Sequence, residues 1–161
     1  MLSRRIVGLA RRAFSTLVVP DPSKNLSDLK PLLNAARKLK QDITVLSLGC
    51  KQEAGLQLLG SQFASAGIKE VFSAQDDRFG DLDYETSSEF LSGFLAKHKY
   101  DNVVMGNSSM AKEILPRLAV PFNSQPVTDV TEIESPDTFK RPMYAGNAIA
   151  TVQSPAKVKF I

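Results

Sequence analysis

Residues 102–118 read NVVMGNSSMAKEILPRL, and this stretch decides the fold. Asn102–Met105 is a short apolar run rich in β-branched residues, which predicts a buried strand. Gly106-Asn107-Ser108-Ser109 is a turn whose Asn107 or Ser108 can cap a helix start. From Ser108 to Leu118 the residues Ile114, Leu115 and Leu118 share one helical face. A buried strand feeding straight into a helix with one apolar face is the repeating unit of an α/β sheet.

The same unit recurs upstream. Thr16–Pro20 (TLVVP), Ile43–Leu48 (ITVLSL) and Glu70–Ala74 (EVFSA) give further strands. Between them, Leu29, Leu32, Leu33, Ala36 and Leu39 fall at helical spacing, with Asn25 or Ser27 as the cap and Pro31 in the first turn. Gln52–Ala66 predicts a second helix, with Leu56, Leu59 and Phe63 inward and Gly67 as its stop. Tyr84–Lys97 predicts a third, with Phe90, Leu91 and Phe94 inward; Gln75–Asp83 before it reads as a loop. Downstream of Pro121 the pattern changes. Gln125–Ile133, Phe139–Tyr144, Ala148–Val152 and Val158–Ile161 are strand-like, and Gly146-Asn147 suits a tight hairpin turn. The expected architecture is a three-layer α/β sandwich, with a mostly parallel sheet finishing in antiparallel C-terminal strands.

Charge and composition exclude several classes of function. The 161 residues carry 20 basic and 17 acidic side chains, a net of +3. Four of the basic ones (Arg4, Arg5, Arg11 and Arg12) lie in residues 1–14, which hold no acid. The rest keeps 16 basic against 17 acidic residues, so its net charge is −1. No basic stripe remains for phosphate contact, and nucleic acid is not an expected partner. One Cys and one His exclude a disulfide framework and a zinc site built from Cys and His. No apolar run reaches the roughly 20 residues that span a bilayer, so no transmembrane segment is expected. Residues 1–14 have the composition of a mitochondrial transit peptide, able to wind into a basic amphipathic helix. Arg12-Ala13-Phe14-Ser15 is similar to a matrix-protease cleavage site.

Chemistry in an open α/β sheet belongs at the carboxyl ends of the strands. Three such ends are Pro20-Asp21-Pro22-Ser23, Gly49-Cys50-Lys51 and Gly106-Asn107-Ser108-Ser109. The last is the best anion or nucleotide candidate, because helix amides and two hydroxyls converge there. Plain capping by Asn107 or Ser108 competes with that role, and no phosphate-loop motif is present. Cys50 reads as a structural thiol rather than a reactive one. His98 lies at a helix end with no nucleophile in sight, and suits the helix dipole. Asp76, Asp77, Asp81 and Asp83 read as solvated loop carboxylates, since their spacing matches no calcium loop. No catalytic residue and no metal ligand is expected.

Five segments, taken in order, carry a resemblance. Ser15–Val19 (STLVV) resembles a family's first strand, and Ala64–Ala74 (ASAGIKEVFSA) its helix-to-strand step. Gly106–Leu118 (GNSSMAKEILPRL) is similar to that family's Gly-x-Ser…Lys-x-Leu-Pro-Arg-x-Ala segment, here with Gly106, Lys112, Leu115, Pro116, Arg117 and Ala119. Gln125–Val130 (QPVTDV) resembles the strand start that follows. The most specific piece is SPDTFKRPMYAGNA, residues 135–148, with Tyr144-Ala145-Gly146-Asn147-Ala148 at its heart. Residues 15–161 thus resemble the N-terminal domain of the electron-transfer flavoprotein alpha subunit.

The resemblance implies a mixed-sheet α/β domain on the matrix side of mitochondria. It implies a heterodimer with a beta subunit that takes electrons from acyl-CoA dehydrogenases and passes them to a membrane quinone oxidoreductase. In that family FAD lies mainly on a C-terminal alpha domain, whose Ser-Gly-Gly-Arg-Gly-type segment is absent from these residues. No FAD contact carries over, and FAD is expected only if a separate flavin domain joins this chain. The expected role is a non-catalytic accessory subunit of a mitochondrial respiratory or electron-transfer complex. The alternative is one piece of a split flavoprotein. Arg141, Tyr144 and Asn147 are the candidate partner-facing residues, as Arg and Tyr often anchor interfaces; a core role for Tyr144 competes.

Overall fold

The computed structural model describes residues 2–6, 15–24, 28–49, 67–74, 76, 79 and 83–161. In chain order the strands are β1 Leu2–Ile6, β2 Ser15–Val19, β3 Asp42–Leu48, β4 Ile68–Ala74, β5 Asn102–Met105, β6 Glu132–Ser135, β7 Thr138–Met143, β8 Ala148–Gln153 and β9 Lys159–Phe160. The helices among the described residues are α1 Leu29–Lys38, α2 Tyr84–Lys97 and α3 Ser109–Ala119. The helix expected over Gln52–Ala66, its neighbours Cys50 and Lys51, and the proposed caps Asn25 and Ser27 lie outside the described residues.

β4, β3, β2, β5 and β9 run parallel in that spatial order, and β1 adds an antiparallel edge beside β4. The central strand shows why its sequence is continuously apolar. Leu17, Val18 and Val19 are all fully buried. Successive side chains point to opposite faces. Leu17 and Val19 join Leu46, Phe72 and the inner faces of α2 and α3. Val18 joins Val45, Leu29, Leu33 and Ala36 of the α1 side. Helices thus cover both faces, and the expected three-layer α/β sandwich is the observed one.

The C-terminal strands are antiparallel, as expected, but they form a sheet of their own. β6, β7 and β8 make a three-stranded meander laid against the α1 face. Phe139 and Ile133 insert beside Leu29 and Val45 and fasten it there. The chain then returns, and β9 extends the main sheet in parallel with β5. Ile161 N–H donates to the Val103 carbonyl at 2.9 Å, and Met105 N–H to the Ile161 carbonyl at 2.9 Å. The β5 edge is thereby closed, as buried backbone groups require. Gln125–Ile133 does not form one strand: Asp129 takes a φ of +59° and breaks it. Only its end enters β6.

The N-terminal residues also depart from expectation. Its composition permits a helix, yet Leu2–Ile6 is extended, with Leu2 opposite Ala74 and Ile6 opposite Glu70. The β4 edge offers a row of backbone donors and acceptors to whatever extended segment lies beside it.

Candidate functional site

The three strand ends differ sharply. After β2, Asp21 is buried and its carbonyl accepts the Lys24 amide at 3.2 Å. Lys24 Nζ lies 2.8 Å from Asp28 Oδ2 and donates to the Asn107 carbonyl at 3.4 Å. The hydrogen bond to Asp28, with the charges of Asp28 and Asp21, holds the Lys24 ammonium above its ordinary pKa. After β3, Gly49 takes a φ of +90° and donates its amide to the Ala74 carbonyl.

After β5 lies the candidate anion site. Ser108 caps α3, its hydroxyl accepting the Ala111 amide at 3.2 Å. Asn107 Nδ2 donates to Asp129 Oδ1 at 3.0 Å, and Lys112 Nζ stands 3.8 Å from the same oxygen. A Cβ placed on Gly106 would sit 3.7 Å from Asp28 Oδ2. Two carboxylates therefore flank Gly106 and Asn107, and the chain's own Asp129 occupies the side-chain donor an anion would want. Ser109 is exposed at the first turn.

Beyond this point opens a cleft of about 930 Å³. It is lined by Leu32 and Ala35 of α1, by Val104, Met105 and Ile161, and by Met143–Gly146 of the hairpin. Its volume suits a small ligand or an inserted side chain.

The β7–β8 hairpin is built differently from the rest. Its four-residue tip holds Tyr144 at φ +50°, Ala145 at +54° and Gly146 at +90°. Only the glycine adopts such a conformation without strain; each of the other two costs on the order of 1–2 kcal/mol. The tip closes through the Asn147 amide, which donates to the Tyr144 carbonyl at 3.2 Å. Tyr144 is 79% exposed, Ile149 70% and Met143 44%. Tyr144 is thus presented to solvent, not packed in the core, and Asn147 is exposed beside it. Arg141 sits half-buried on β7, opposite Ala150, and its Nε is buried without an acceptor among the described residues.

At the other end of the meander the polar contacts are saturated. Asp137 accepts from Ser135 Oγ, from Gln153 Nε2 at 2.9 Å and from Thr138 Oγ1 at 3.1 Å. These donors, Ser135 first, hold its carboxyl down to about 2 from an ordinary 3.8. Lys140 bridges Glu134 at 2.7 Å and Glu132 at 3.2 Å, which raises its pKa.

The remaining candidates have structural surroundings. His98 stacks on Phe94 with ring centroids 4.5 Å apart and donates its backbone N–H to the Phe94 carbonyl. Asp83 caps α2, accepting the amides of Glu85 and Thr86. Asp77 and Asp81 lie outside the described residues. Among those described, no three His, Cys, Asp or Glu side chains cluster as metal ligands would. No helix there is long and apolar enough to cross a membrane. Arg117 is exposed in the last turn of α3, where a cation complements the helix dipole. Sequence reasoning missed Asp129, which lies 22 residues from Asn107 and carries no local signal of their contact.

Comparison with known proteins gives the family of this sequence. Residues 28–161 match the family described as "Electron transfer flavoprotein domain". The chain is 33% identical over 156 residues to the "Probable electron transfer flavoprotein subunit alpha, mitochondrial" of Saccharomyces cerevisiae, covering 95% of this chain and 45% of that one. It is 50% identical over 127 residues to the "Electron transfer flavoprotein subunit alpha" of Pseudomonas aeruginosa, covering 79% and 40%. A Caenorhabditis elegans relative with the yeast protein's description is 30% identical over 167 residues, covering 100% and 48%. The chain spans about half the length, or slightly less, of the curated relatives it matches. These matches show that the chain belongs to the electron transfer flavoprotein family, as a domain of the alpha-subunit type.

Proposed function

We propose that residues 15–161 serve as a non-catalytic packing domain in a mitochondrial electron-transfer assembly, joined to a beta-type flavoprotein subunit through the Arg141–Asn147 hairpin. The observation that carries this reading is the tip itself. Tyr144 is held out at 79% exposure by two strained non-glycine residues. Backbone strain is retained where function compensates it. The buried Arg141 Nε, with no acceptor among the described residues, also fits a surface completed by another chain. The descriptions of the eukaryotic relatives as mitochondrial, and of all three as alpha subunits, support the compartment and the kind of partner.

In this reading the chain positions a partner and holds no flavin of its own; FAD enters with a flavin-bearing domain. Two settings are compatible with it. One is an accessory subunit of a larger respiratory or electron-transfer complex. The other is a split flavoprotein that carries electrons from acyl-CoA dehydrogenases to the quinone pool. Purification of the native assembly separates them. Visible flavin absorbance that is bleached by a reduced acyl-CoA dehydrogenase marks the split flavoprotein. A stable assembly without flavin marks the accessory subunit. A free monomer in mitochondrial extract overturns the packing role altogether.

A further inference from the structure

We infer that the cleft between α1 and the β7–β8 hairpin is a binding site for a small aromatic anion, an apolar body of one or two rings bearing a single carboxylate. Every residue that lines the cleft belongs to this chain, so the site does not rest on the packing role proposed above.

The cleft follows from how the meander is laid on the domain. Phe139 and Ile133 pin it beside Leu29 and Val45. Between α1 and the hairpin the chain leaves a gap of about 930 Å³. Small-molecule sites occupy roughly 300–1,000 Å³. Asp28, just before α1, and Lys38, at its end, both line the gap. The ten residues of α1 span about 15 Å at about 1.5 Å each, so the cleft is longer than one aromatic ring.

Its lining is apolar where the body of a ligand would lie. Leu32, Val104 and Ile161 belong to the α1-side core and turn their remaining surface to the cleft. Val120, Met143, Tyr144 and Ile149 are the exposed large apolar side chains among the described residues, and Met143 and Tyr144 both line this cleft. A phenol ring pairs with another aromatic ring in offset or edge-to-face geometry, and a thioether adapts to a ring edge. This pairing of side chains selects an aromatic body over an aliphatic one.

Charge sets the other end of the ligand. The carboxylates that line the cleft already have lysine partners. Asp28 lies 2.8 Å from Lys24, Asp129 3.8 Å from Lys112 and Glu132 3.2 Å from Lys140. They leave a cationic ligand little to pair with. Lys38 is different: it is exposed, lines the cleft from the last turn of α1, and makes no ion pair among the described residues. Ala35 stands three residues before it, on the same side of the helix. A ring lying over Leu32 and Ala35 therefore brings its carboxylate within reach of the Lys38 ammonium, whose long stem can follow the apolar surface.

The test uses the full chain, with naphthoate as the probe and naphthylmethylammonium as its counterpart of opposite charge. Affinity is read by calorimetry. One-to-one binding of the carboxylate is expected, about fivefold or more tighter than the ammonium. Lys38→Glu reverses an exposed charge and is expected to weaken the carboxylate by about fivefold or more. Ala35→Trp fills the cleft from α1 and is expected to abolish binding, with far-UV circular dichroism unchanged. If that variant unfolds, the pair of probes and Lys38→Glu decide the matter alone. No binding of naphthoate to the wild type, or undiminished binding to a folded Ala35→Trp chain, overturns the site. Equal affinity for the two probes, or for naphthoate with and without Lys38, overturns the anion assignment.

Discussion

The parallel sheet and the β6–β8 meander lie against each other yet satisfy themselves to opposite degrees. In β3 every residue from Ile43 to Leu48 is buried. In β8 no residue is, and among the described residues its backbone pairs with a strand on one side only. Both are made of short strands with similar local chemistry. The difference lies in cover: the sheet is enclosed by helices, whereas the meander is fastened by Phe139 and Ile133 and then projects. Burial in the first supplies stability. Exposure in the second, with strain at its tip, is what the proposed packing role rests on.

The largest effect that can break this contrast lies in the sheet. Phe72 is 1% exposed and meets Phe94 edge-on at 5.2 Å. Phe72→Ala is expected to cost about 3–5 kcal/mol of unfolding free energy, read from urea denaturation. A cost near zero would mean that the sheet core is not what holds the domain. A smaller effect of opposite sign is expected at the tip. Ala145→Gly relieves one left-handed residue and should stabilise the isolated chain by up to about 1 kcal/mol, since added freedom in the unfolded chain offsets part of the relief. Destabilisation by that change would remove the strain argument.

The smallest effect concerns pH. The Asp137 carboxyl is held down to about 2, so the stability it lends is present above its ordinary 3.8 and is lost as pH falls through about 2. Lys140 is raised, so its contribution is complete below its ordinary 10.5 and fades as pH climbs past it. Both groups are well solvated, and the effects are correspondingly modest. Asp137→Asn should flatten the acid limb of the meander's amide shifts in a pH titration, with β3 and β4 unmoved. An unchanged acid limb would show that the carboxylate does not fasten the turn.

Much of this contrast was legible in the sequence, and its limits are physical. Tyr84–Lys97 and Asn102–Met105 were expected at the bounds observed, because local periodicity fixes a helix and local apolarity a strand. The hairpin was legible from Gly146-Asn147. Its strained start was not, since nothing in Tyr144 or Ala145 favours a positive φ. The partition of the last strands into two sheets was hidden for another reason. Whether β9 pairs with β5 or with β8 depends on which edge is open in space, and periodicity does not record that. The anion candidate at Gly106–Ser109 was legible as a turn and helix start. The Asp129 carboxylate beside it came from a loop that reads as a strand.

The central claim is that the parallel sheet is complete by itself, whereas the exposed β7–β8 hairpin is covered by the proposed partner. Amide hydrogen exchange, followed residue by residue with and without the beta subunit, tests it most directly. The account predicts slow exchange at Val45, Leu46 and Val103 in both states. It predicts fast exchange at Tyr144, Ala145 and Ile149 in the free chain, and protection of these three in the complex. Protection of the hairpin tip in the free chain equal to that of β3, or no gain in its protection on complex formation, would contradict it.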